Sequence, residues 1–325
     1  MKAISTFVTR ALAASALIVA ASQAVRGQDY PTKPITLIVP FAAGGGSDLV
    51  GRLIAKHLGD RIGQTVVIEN RGGAGGNLGM AAGSRAAPDG YTLTLLTQNI
   101  TVNPHMNANM PFDPLSGFQP VTNMVQYASM LVSYPGLPAK TVTEIVSFGK
   151  ANPKALNAGH GGIGGQAHLG MLMFAKMAGI NIELVSYRGE GPVLVDLISG
   201  RTQLTIQSIG GLGNHLQSGT LNALGFTGPK RSALFPNIPT VAEGVPGYEL
   251  TGWYGSGAPP GTPMAIVTKL RNEIKAVLDM PEVKKDLIER GFDPVGDTPE
   301  EFGKTLRADY AKMKTLIEEA GIKPN

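Results

Sequence analysis

The sequence predicts an α/β fold of two similar lobes, each built on a mostly parallel, doubly wound sheet flanked by helices. Two observations support this prediction. Short β-branched apolar runs alternate with segments of helical periodicity, which is typical of a largely parallel sheet. The same order of strands, glycine loops and helices recurs in the second half, and 325 residues are too many for one ordinary core.

The first half opens with a strand, a glycine loop and a helix. Residues Ile35–Phe41 have the length and composition of a buried strand, and they end at the loop Ala42–Gly46. Ser47 is a suitable N-cap for the helix that must follow, and Asp48 suits its first turn. The apolar stripe of this helix is formed by Val50, Leu53, Ile54 and Leu58.

Two further strands complete the first half. The strand Thr65–Glu69 leads into a second glycine loop, Asn70–Asn77, and the strand Tyr91–Thr97 ends at Gln98 and Asn99. Open α/β sheets bind ligands beyond the carboxyl ends of their strands. We therefore expect the polar groups of these loops to contribute to one site.

The second half repeats this order. The loop Gly159–Gly165 precedes a helix, Ile182–Ser186 leads into the loop Tyr187–Gly191, and the strand Gln203–Ile206 ends at Gln207 and Ser208. In both halves, 27 residues separate the glycine loop from an Arg-Gly loop. The two pairs that define this spacing are Gly44 with Arg71 and Gly161 with Arg188.

These repeated loops predict an anion site between the lobes. A glycine loop before a helix directs backbone N–H groups and the positive end of the helix dipole at a ligand. Two such loops that face each other can hold a carboxylate with neutral donors, without a buried Lys or Arg. Any one loop alone is more simply interpreted as a tight turn. Repetition at matched positions favours the ligand site.

Composition excludes several other classes of protein. Hydrophobic residues make up 43% and charged residues 16%, which is a globular composition. Cysteine is absent, so the chain has no disulfide, thiol nucleophile or thiolate metal site. No basic run is interleaved with aromatic residues, and no two histidines have a metal-ligand spacing. We expect a monomer with no cofactor, no metal and no nucleic-acid partner.

The N-terminus has the features of a secretory signal. Lys2 and Arg10 lead into the apolar run Ala11–Ala21, which is too short to span a bilayer and is followed by small residues. We expect cleavage near Gly27 and a soluble periplasmic protein. Removal of residues 1–27 takes away three basic residues and leaves 25 basic against 24 acidic residues, a net charge of +1.

An enzyme alternative, an NAD(P)-dependent oxidoreductase, rests on one motif. Gly159, Gly161 and Gly164 satisfy G-x-G-x-x-G, and Glu183 lies 19 residues further, near where a ribose-binding acid would stand. Against this alternative, Lys154–Ala158 is weak as a buried strand, and the motif lies in the middle of the chain. We therefore expect a protein that is not an enzyme.

Four side chains near the loops have open roles. His160 lies inside the second-lobe glycine loop, where it either faces the ligand or packs elsewhere. His168 either caps or packs in the first turn of its helix. Arg71 and Arg188 either contact the anion or brace their loops through backbone carbonyls, and bracing is the simpler interpretation for Arg71.

Five segments together resemble the Bug-type, TctC-like extracytoplasmic solute receptors of tripartite tricarboxylate transporters. They are YPTKPITLIVPFAAGGGSD, ENRGGAGGNLG, YRGEGPVLVDLISGR, PNIPTVAEGVPGYE and GWYGSGAPPGTP, and the resemblance runs from about Asp29 to the C-terminus. It implies a two-lobed, type II periplasmic-binding-protein fold and a ligand carboxylate held by the first two loops, partly through ordered water. It also implies delivery of the ligand to membrane permease subunits.

The family pattern differs here in the second-lobe loop. His160 and Gly165 stand where small hydroxyl residues are frequent in relatives. An aromatic or longer dicarboxylate is therefore an alternative to a short di- or tricarboxylate. The candidate ligand-binding residues are Phe41, Ala43, Gly44, Gly45, Gly46, Ser47, Asp48, Ala74, Gly75, Gly76, Asn77, Gln98, Asn99, His160, Gly161, Gly162, Ile163, Gly164, Tyr187, Arg188, Gly189, Gln207 and Ser208.

The lobes are expected to be discontinuous in the chain. We expect residues 28–126 and 248–325 to form lobe 1, and residues 127–247 to form lobe 2. The segment Phe118–Tyr127 is the predicted crossover, and the return falls between Pro239 and Trp253. The C-terminal helices, Pro263–Leu278 and Glu300–Ala320, are expected to pack on lobe 1.

Overall fold

The structure is a computed structural model that describes residues 30–319, apart from positions 108, 164, 210, 211 and 233. The predicted signal peptide and the candidate binding residue Gly164 lie outside the described residues. None of the helices in the described part of the chain is long and apolar enough to cross a membrane.

The described residues form ten strands and ten α-helices. The strands are β1 (Ile35–Val39), β2 (Val66–Asn70), β3 (Thr92–Thr97), β4 (Gln119–Ser133), β5 (Asn157–His160), β6 (Glu183–Ser186), β7 (Leu204–Ser208), β8 (Asn222–Phe226), β9 (Thr251–Ala258) and β10 (Phe292–Pro294). The helices are α1 (Gly46–Ile62), α2 (Asn77–Ser84), α3 (Asn99–Met106), α4 (Val142–Ala151), α5 (Gln166–Ala178), α6 (Glu190–Ile198), α7 (Gly213–Gln217), α8 (Met264–Leu278), α9 (Pro281–Glu289) and α10 (Pro299–Glu319).

Each lobe contains three parallel strands joined to antiparallel ones. In the first lobe, β1 lies between β2 and β3 and runs parallel to both, and β9 continues the sheet antiparallel to β3. In the second lobe, β5 runs parallel to β6 and β7, and β7 pairs antiparallel with β4. The predicted α/β fold is confirmed, with a more mixed sheet than the sequence indicated.

The long strand β4 belongs to both lobes. Its residues up to Ala128 pair with β9, whereas the residues from Ser129 onward pair with β7 and β8. The strand order is β2-β1-β3-β9-β4-β7-β5-β6. The exchange of partners in the middle of β4 supports a lobe boundary near residues 126/127, which remains our proposal.

Each lobe has its own hydrophobic core. The predicted stripe of α1 is buried in the first-lobe core at Val50, Ile54 and Leu58, with Leu53 packed partly buried against it. In the second lobe, α5 packs on the sheet through Leu169 and its neighbours. A helix contributes one buried face because its apolar residues recur every three to four positions.

The last helix, α10, contacts both lobes, so the expectation that both C-terminal helices pack on lobe 1 is wrong for its second half. Phe302 and Leu306 are buried with Leu96 of the first lobe, whereas Met313 and Ile317 join the second-lobe core. Twenty-one helical residues extend for about 30 Å, which is long enough to reach across both cores. The predicted packing of α8 on the first-lobe core is observed.

Candidate functional site

The first glycine loop brings the amino end of α1 to the cleft between the lobes. The helix begins at Gly46 after Gly45, which provides no side-chain cap, and the predicted N-cap Ser47 instead lies buried in the first turn. The helix starts two residues earlier than predicted, and Gly46 fits at its start because it has no side chain. A Cβ there would overlap Ser208 Oγ. The first turn of α1 therefore presents N–H groups without intrahelical partners and the positive end of the helix dipole.

Asp48 holds this loop in place. Its Oδ2 accepts hydrogen bonds from Gly44 N at 3.0 Å and Arg52 Nε at 2.9 Å, and its Oδ1 accepts one from Asn70 Nδ2 at 2.9 Å. Asn70 Nδ2 also donates to Phe41 O at 3.0 Å. Burial acts to raise the pKa of Asp48, but these donors outweigh it and keep the pKa below its ordinary value. Asp48 thus stays ionised and fixes the loop.

The second glycine loop is fixed by side chains of α3. The carbonyl of Gly75 accepts hydrogen bonds from Asn99 Nδ2 at 2.8 Å and Asn103 Nδ2 at 3.1 Å. Asn103 Nδ2 also donates to Asn77 Oδ1 at 2.7 Å. Gly75 has φ +63° and Gly76 has φ +93°, a conformation that glycine adopts at little cost. The glycines of this loop are therefore required by its backbone shape.

The loops of the two lobes touch across the cleft. A Cβ at Gly75 would overlap the carbonyl oxygen of Ile163, and one at Gly162 would lie 3.0 Å from Gly75 Cα. A Cβ at Gly189 would lie 3.2 Å from that of Ala42. Glycine is needed at these positions because backbone of one lobe approaches backbone of the other.

Glu190, at the start of α6 in the second lobe, reaches into the amino end of α1. Its Oε2 accepts hydrogen bonds from Gly46 N at 3.1 Å and from Ser208 Oγ at 3.2 Å. The residue as a whole is partly exposed, but its carboxylate lies in the interior. Burial raises the pKa of Glu190, and the two hydrogen bonds oppose that increase. The sequence analysis missed this residue.

A cavity lies where these elements meet. It has a volume of about 50 Å³. Its lining residues are Phe41, Ala42, Gly45, Ser47, Thr97, Asn99, Tyr127, Gly161, Gly165, Gln166, Ala167, Glu190, Ile206 and Tyr254. Glu190 is the one charged side chain in this set, and the other polar groups are amides, hydroxyls and backbone.

The predicted binding residues divide into three groups. Those in the cavity lining are Phe41, Gly45, Ser47, Asn99 and Gly161. A neighbouring groove at the cleft entrance is lined by the candidates Phe41, Ala74, Gly75, Gly76, Gly161, Gly162, Ile163, Tyr187 and Arg188. The candidates found in neither lining are Ala43, Gly44, Gly46, Asp48, Asn77, Gln98, His160, Gly189, Gln207 and Ser208.

Several cavity residues were not predicted because they lie inside helices and strands. Tyr127 and Tyr254 are buried on the adjacent strands β4 and β9, with ring centroids 4.6 Å apart, and Gln166 opens α5. Such residues resemble ordinary core positions in the sequence. Among the cavity residues that were missed, only Glu190 had a signal in the sequence, because an acidic side chain is unexpected in a loop that is predicted to bind an acid.

His160 packs inside the second lobe. It is 2% exposed, its ring centroid lies 4.5 Å from that of His168, and its Nδ1 accepts a hydrogen bond from Gly162 N at 3.3 Å. Burial lowers the pKa of His160. The pKa of His168 is lowered to about 4, chiefly by burial and to a lesser extent by the charge of His160. Both rings are therefore neutral at physiological pH. They pack against each other inside the second lobe, and His160 accepts a hydrogen bond from the backbone of the glycine loop.

The two loop arginines are exposed. Arg71 Nε forms an ion pair with Glu69 Oε1 at 2.6 Å, and Arg71 N donates to Val39 O at 2.9 Å. Its side chain thus braces the loop through a carboxylate, where the sequence analysis expected backbone carbonyls. Arg188 lines the entrance groove. Neither side chain reaches the cavity lining.

One argument against the dehydrogenase alternative was wrong, and a stronger one replaces it. A strand, β5, does lead into the glycine motif, since it ends at His160 between the first two glycines, and it lies between β6 and β7. However, Glu183 pairs with Asn157 at the amino end of β5, whereas the glycine loop follows His160 at the carboxyl end. Glu183 and the glycine loop therefore lie at opposite ends of the parallel strands, about 10 Å apart along the strand direction. Glu183 is therefore misplaced for a ribose.

Within the described residues, no three His, Asp or Glu side chains are grouped so that they could hold a metal ion.

Comparison with known proteins identifies the family. The family model described as Tripartite tricarboxylate transporter family receptor matches residues 50–322. The solved structure of the periplasmic binding protein BugD is 30% identical, with a TM-score of 0.88 over 91% of this chain and 100% of that chain. A structure from R. palustris with adipate is 35% identical, with a TM-score of 0.89 over 91% and 100%.

A third solved structure is MatC from Rhodopseudomonas palustris with bound malate. It is 28% identical to this chain, with a TM-score of 0.83 over 89% of this chain and 100% of that chain. The resemblance inferred from the sequence is thus confirmed by a family match over most of the chain and by the agreement of the folds. The chain belongs to the tripartite tricarboxylate transporter receptor family.

Proposed function

We propose that this protein is a periplasmic receptor that captures a small organic carboxylate between its lobes and passes it, chemically unchanged, to a membrane permease. One observation carries the proposal. The amino end of α1 opens on a polar cavity whose described lining contains backbone and neutral polar groups, one carboxylate at Glu190, and no Lys or Arg. Such a site suits a carboxylate held by hydrogen bonds and by the helix dipole.

Unpartnered polar atoms in the lining support a polar ligand. Thr97 Oγ1 and Gln166 Nε2 are buried and make no hydrogen bond to another described residue. Buried polar groups nearly always have a partner. A carboxylate or the water around it would accept hydrogen bonds from both groups.

The surroundings of the cavity favour an aliphatic acid over an aromatic one. His160, which prompted the aromatic alternative, lies outside the lining. The structures with adipate and malate belong to relatives whose ligands are aliphatic dicarboxylates. Aliphatic di- and tricarboxylic acids, with or without an amino group, are therefore the first ligands to test.

Calorimetric titration with malate, adipate, citrate and benzoate tests the proposal. We expect at least one aliphatic acid to bind, with the acid recovered unaltered by NMR and with no binding of NAD or NADP. Gly46→Ala should weaken binding because its Cβ would overlap Ser208 Oγ.

Gly213→Ala is the matched control. Gly213 is also the first residue of a helix, and a Cβ there meets nothing within 4 Å. The Gly213→Ala variant should bind the acid with wild-type affinity. Binding of NAD, conversion of the acid, or equal affinity in both variants would contradict the proposed site.

A further inference from the structure

Glu190 occupies the position that a ligand carboxylate would be expected to take. Its Oε2 accepts the N–H of Gly46 at the amino end of α1, where the helix dipole favours negative charge. Ser208 Oγ donates to the same oxygen at 3.2 Å. The N-cap residue of α1, Gly45, offers no side-chain cap. An acidic group of the second lobe thus caps the helix of the first.

The other carboxylate oxygen of Glu190 is available to a ligand. Oε1 forms no hydrogen bond or ion pair with the residues that the structure describes, yet Glu190 lines the cavity. Burial, with the charge of Glu190 acting in the same direction, raises the pKa values of the buried phenols of Tyr127 and Tyr254 in the same lining. The described lining contains no cation that could pair with this carboxylate.

We infer that Glu190 selects a ligand that carries a cationic nitrogen beside its carboxylate, that is, an amino acid or another ammonium acid. The inference rests on the proposed function and narrows its ligand class. A plain dicarboxylate would bring a second negative charge to a buried carboxylate that has no cationic partner, which is costly. An ammonium group would pair with Glu190 while the ligand carboxylate takes the neutral donors.

A protonated Glu190 offers a competing explanation, in which it donates a hydrogen bond to a plain acid. The structure favours the ionised form because the N–H of Gly46, which donates to Oε2, lies at the positive end of a helix, where negative charge is stabilised. The experiment separates the two explanations through the pH dependence of binding.

The test uses pairs of acids that differ in one amino group. Succinate is compared with aspartate, glutarate with glutamate, and adipate with 2-aminoadipate, by calorimetry on wild type, Glu190→Gln and Glu183→Gln. Gln keeps the size of Glu190 and can still accept from Gly46 N. Glu183→Gln removes the same charge from an exposed residue at the opposite sheet edge.

We expect wild type and Glu183→Gln to bind at least one of the amino acids about tenfold or more tightly than the matching acid without the amino group. A charge-assisted hydrogen bond contributes an affinity difference of this size. Glu190→Gln should remove most of that preference. Equal binding of both partners by wild type, unchanged in Glu190→Gln, would overturn the inference and leave the proposed function standing. Plain acids that bind only at low pH, and lose affinity in Glu190→Gln, would also overturn it. If no acid of either kind binds, the proposed function itself fails.

Discussion

Gly75 provides the sharpest test of how the lobes close. Substitution of Gly75 with Ala places a Cβ on the carbonyl oxygen of Ile163. The backbone of Gly162 is also close, because a Cβ added at Gly162 would lie 3.0 Å from Gly75 Cα. Ordinary contacts of a Cβ begin at 3.4 Å. The two loops must therefore separate, and the hydrogen bonds from Asn99 and Asn103 to Gly75 O oppose movement within the first lobe.

Gly63→Ala isolates the cost of the backbone conformation. Gly63 has φ +66°, nearly the +63° of Gly75, but a Cβ there meets nothing within 4 Å. Both variants should lose about 1–2 kcal/mol of folding stability, because an L-residue is disfavoured at positive φ. Only Gly75→Ala should also lose affinity, by about tenfold or more, if closure becomes at least 1.4 kcal/mol less favourable.

Calorimetric affinity and urea unfolding of the two variants separate these effects, with an aliphatic acid that binds the wild type as ligand. Small-angle scattering adds a structural measure, since the wild type should become more compact on binding and Gly75→Ala should not. If Gly75→Ala keeps wild-type affinity, or if Gly63→Ala loses as much, the contact between these loops is not required for binding.

The remaining tests concern the ionised network, protonation and export. Asp48→Asn should lower the free energy of unfolding in urea by about 1–3 kcal/mol at neutral pH. That loss should shrink as the pH falls through the lowered pKa of Asp48, and a loss independent of pH would contradict the network. Glu190→Gln should raise Tm relative to wild type more at about pH 8 than at about pH 4. Because burial raises the pKa of Glu190, the wild type loses stability as the pH rises through that pKa. A difference in Tm between the two proteins that stays the same at both pH values would argue against a buried carboxylate. Sequencing of the periplasmic protein should start near Gln28, and a start at Met1 would refute cleavage.

The strands and loops could be predicted because their signals are local. The run Ile35–Phe41 predicted β1 at Ile35–Val39, and Tyr91–Thr97 predicted β3 at Thr92–Thr97. Apolar β-branched residues that end at glycines indicate a strand and its loop within ten residues of sequence. The cavity lining at Gly45 and Gly161 followed from the same signals, since both glycines lie in loops at strand ends.

The remaining cavity residues depend on contacts between distant parts of the chain. Tyr254 reaches the cavity because β9 pairs with β4, where Val125 is its register partner. Tyr127 lies two residues further along β4 on the same side, since side chains alternate along a strand. Nothing near either tyrosine in the sequence records this pairing. Long-range strand pairing therefore decides which aromatic side chains face the cleft.

His160 shows how two extra residues of strand change a prediction. The sequence placed it inside the glycine loop, but β5 extends through His160, which pairs with Ser186. A strand residue points to one face of the sheet, and that face is covered here by α5, which carries His168. The ring is thus buried against a helix, and the ligand loop begins two residues later than predicted.

The path of α10 constrains how the lobes can move. Asp309 Oδ2 accepts hydrogen bonds from Trp253 Nε1 at 2.9 Å and Thr101 Oγ1 at 3.0 Å, which fixes the middle of the helix to β9 and α3. Met313 and Ile317, one turn and two turns further on, are 1% and 2% exposed in the second-lobe core. Opening that exposed both side chains would cost about 3–6 kcal/mol, which is comparable to the binding energy of a weakly held ligand. We therefore expect the contacts of α10 with the second lobe to persist, and we expect opening to be a rotation about β4 and α10 that separates the glycine loops.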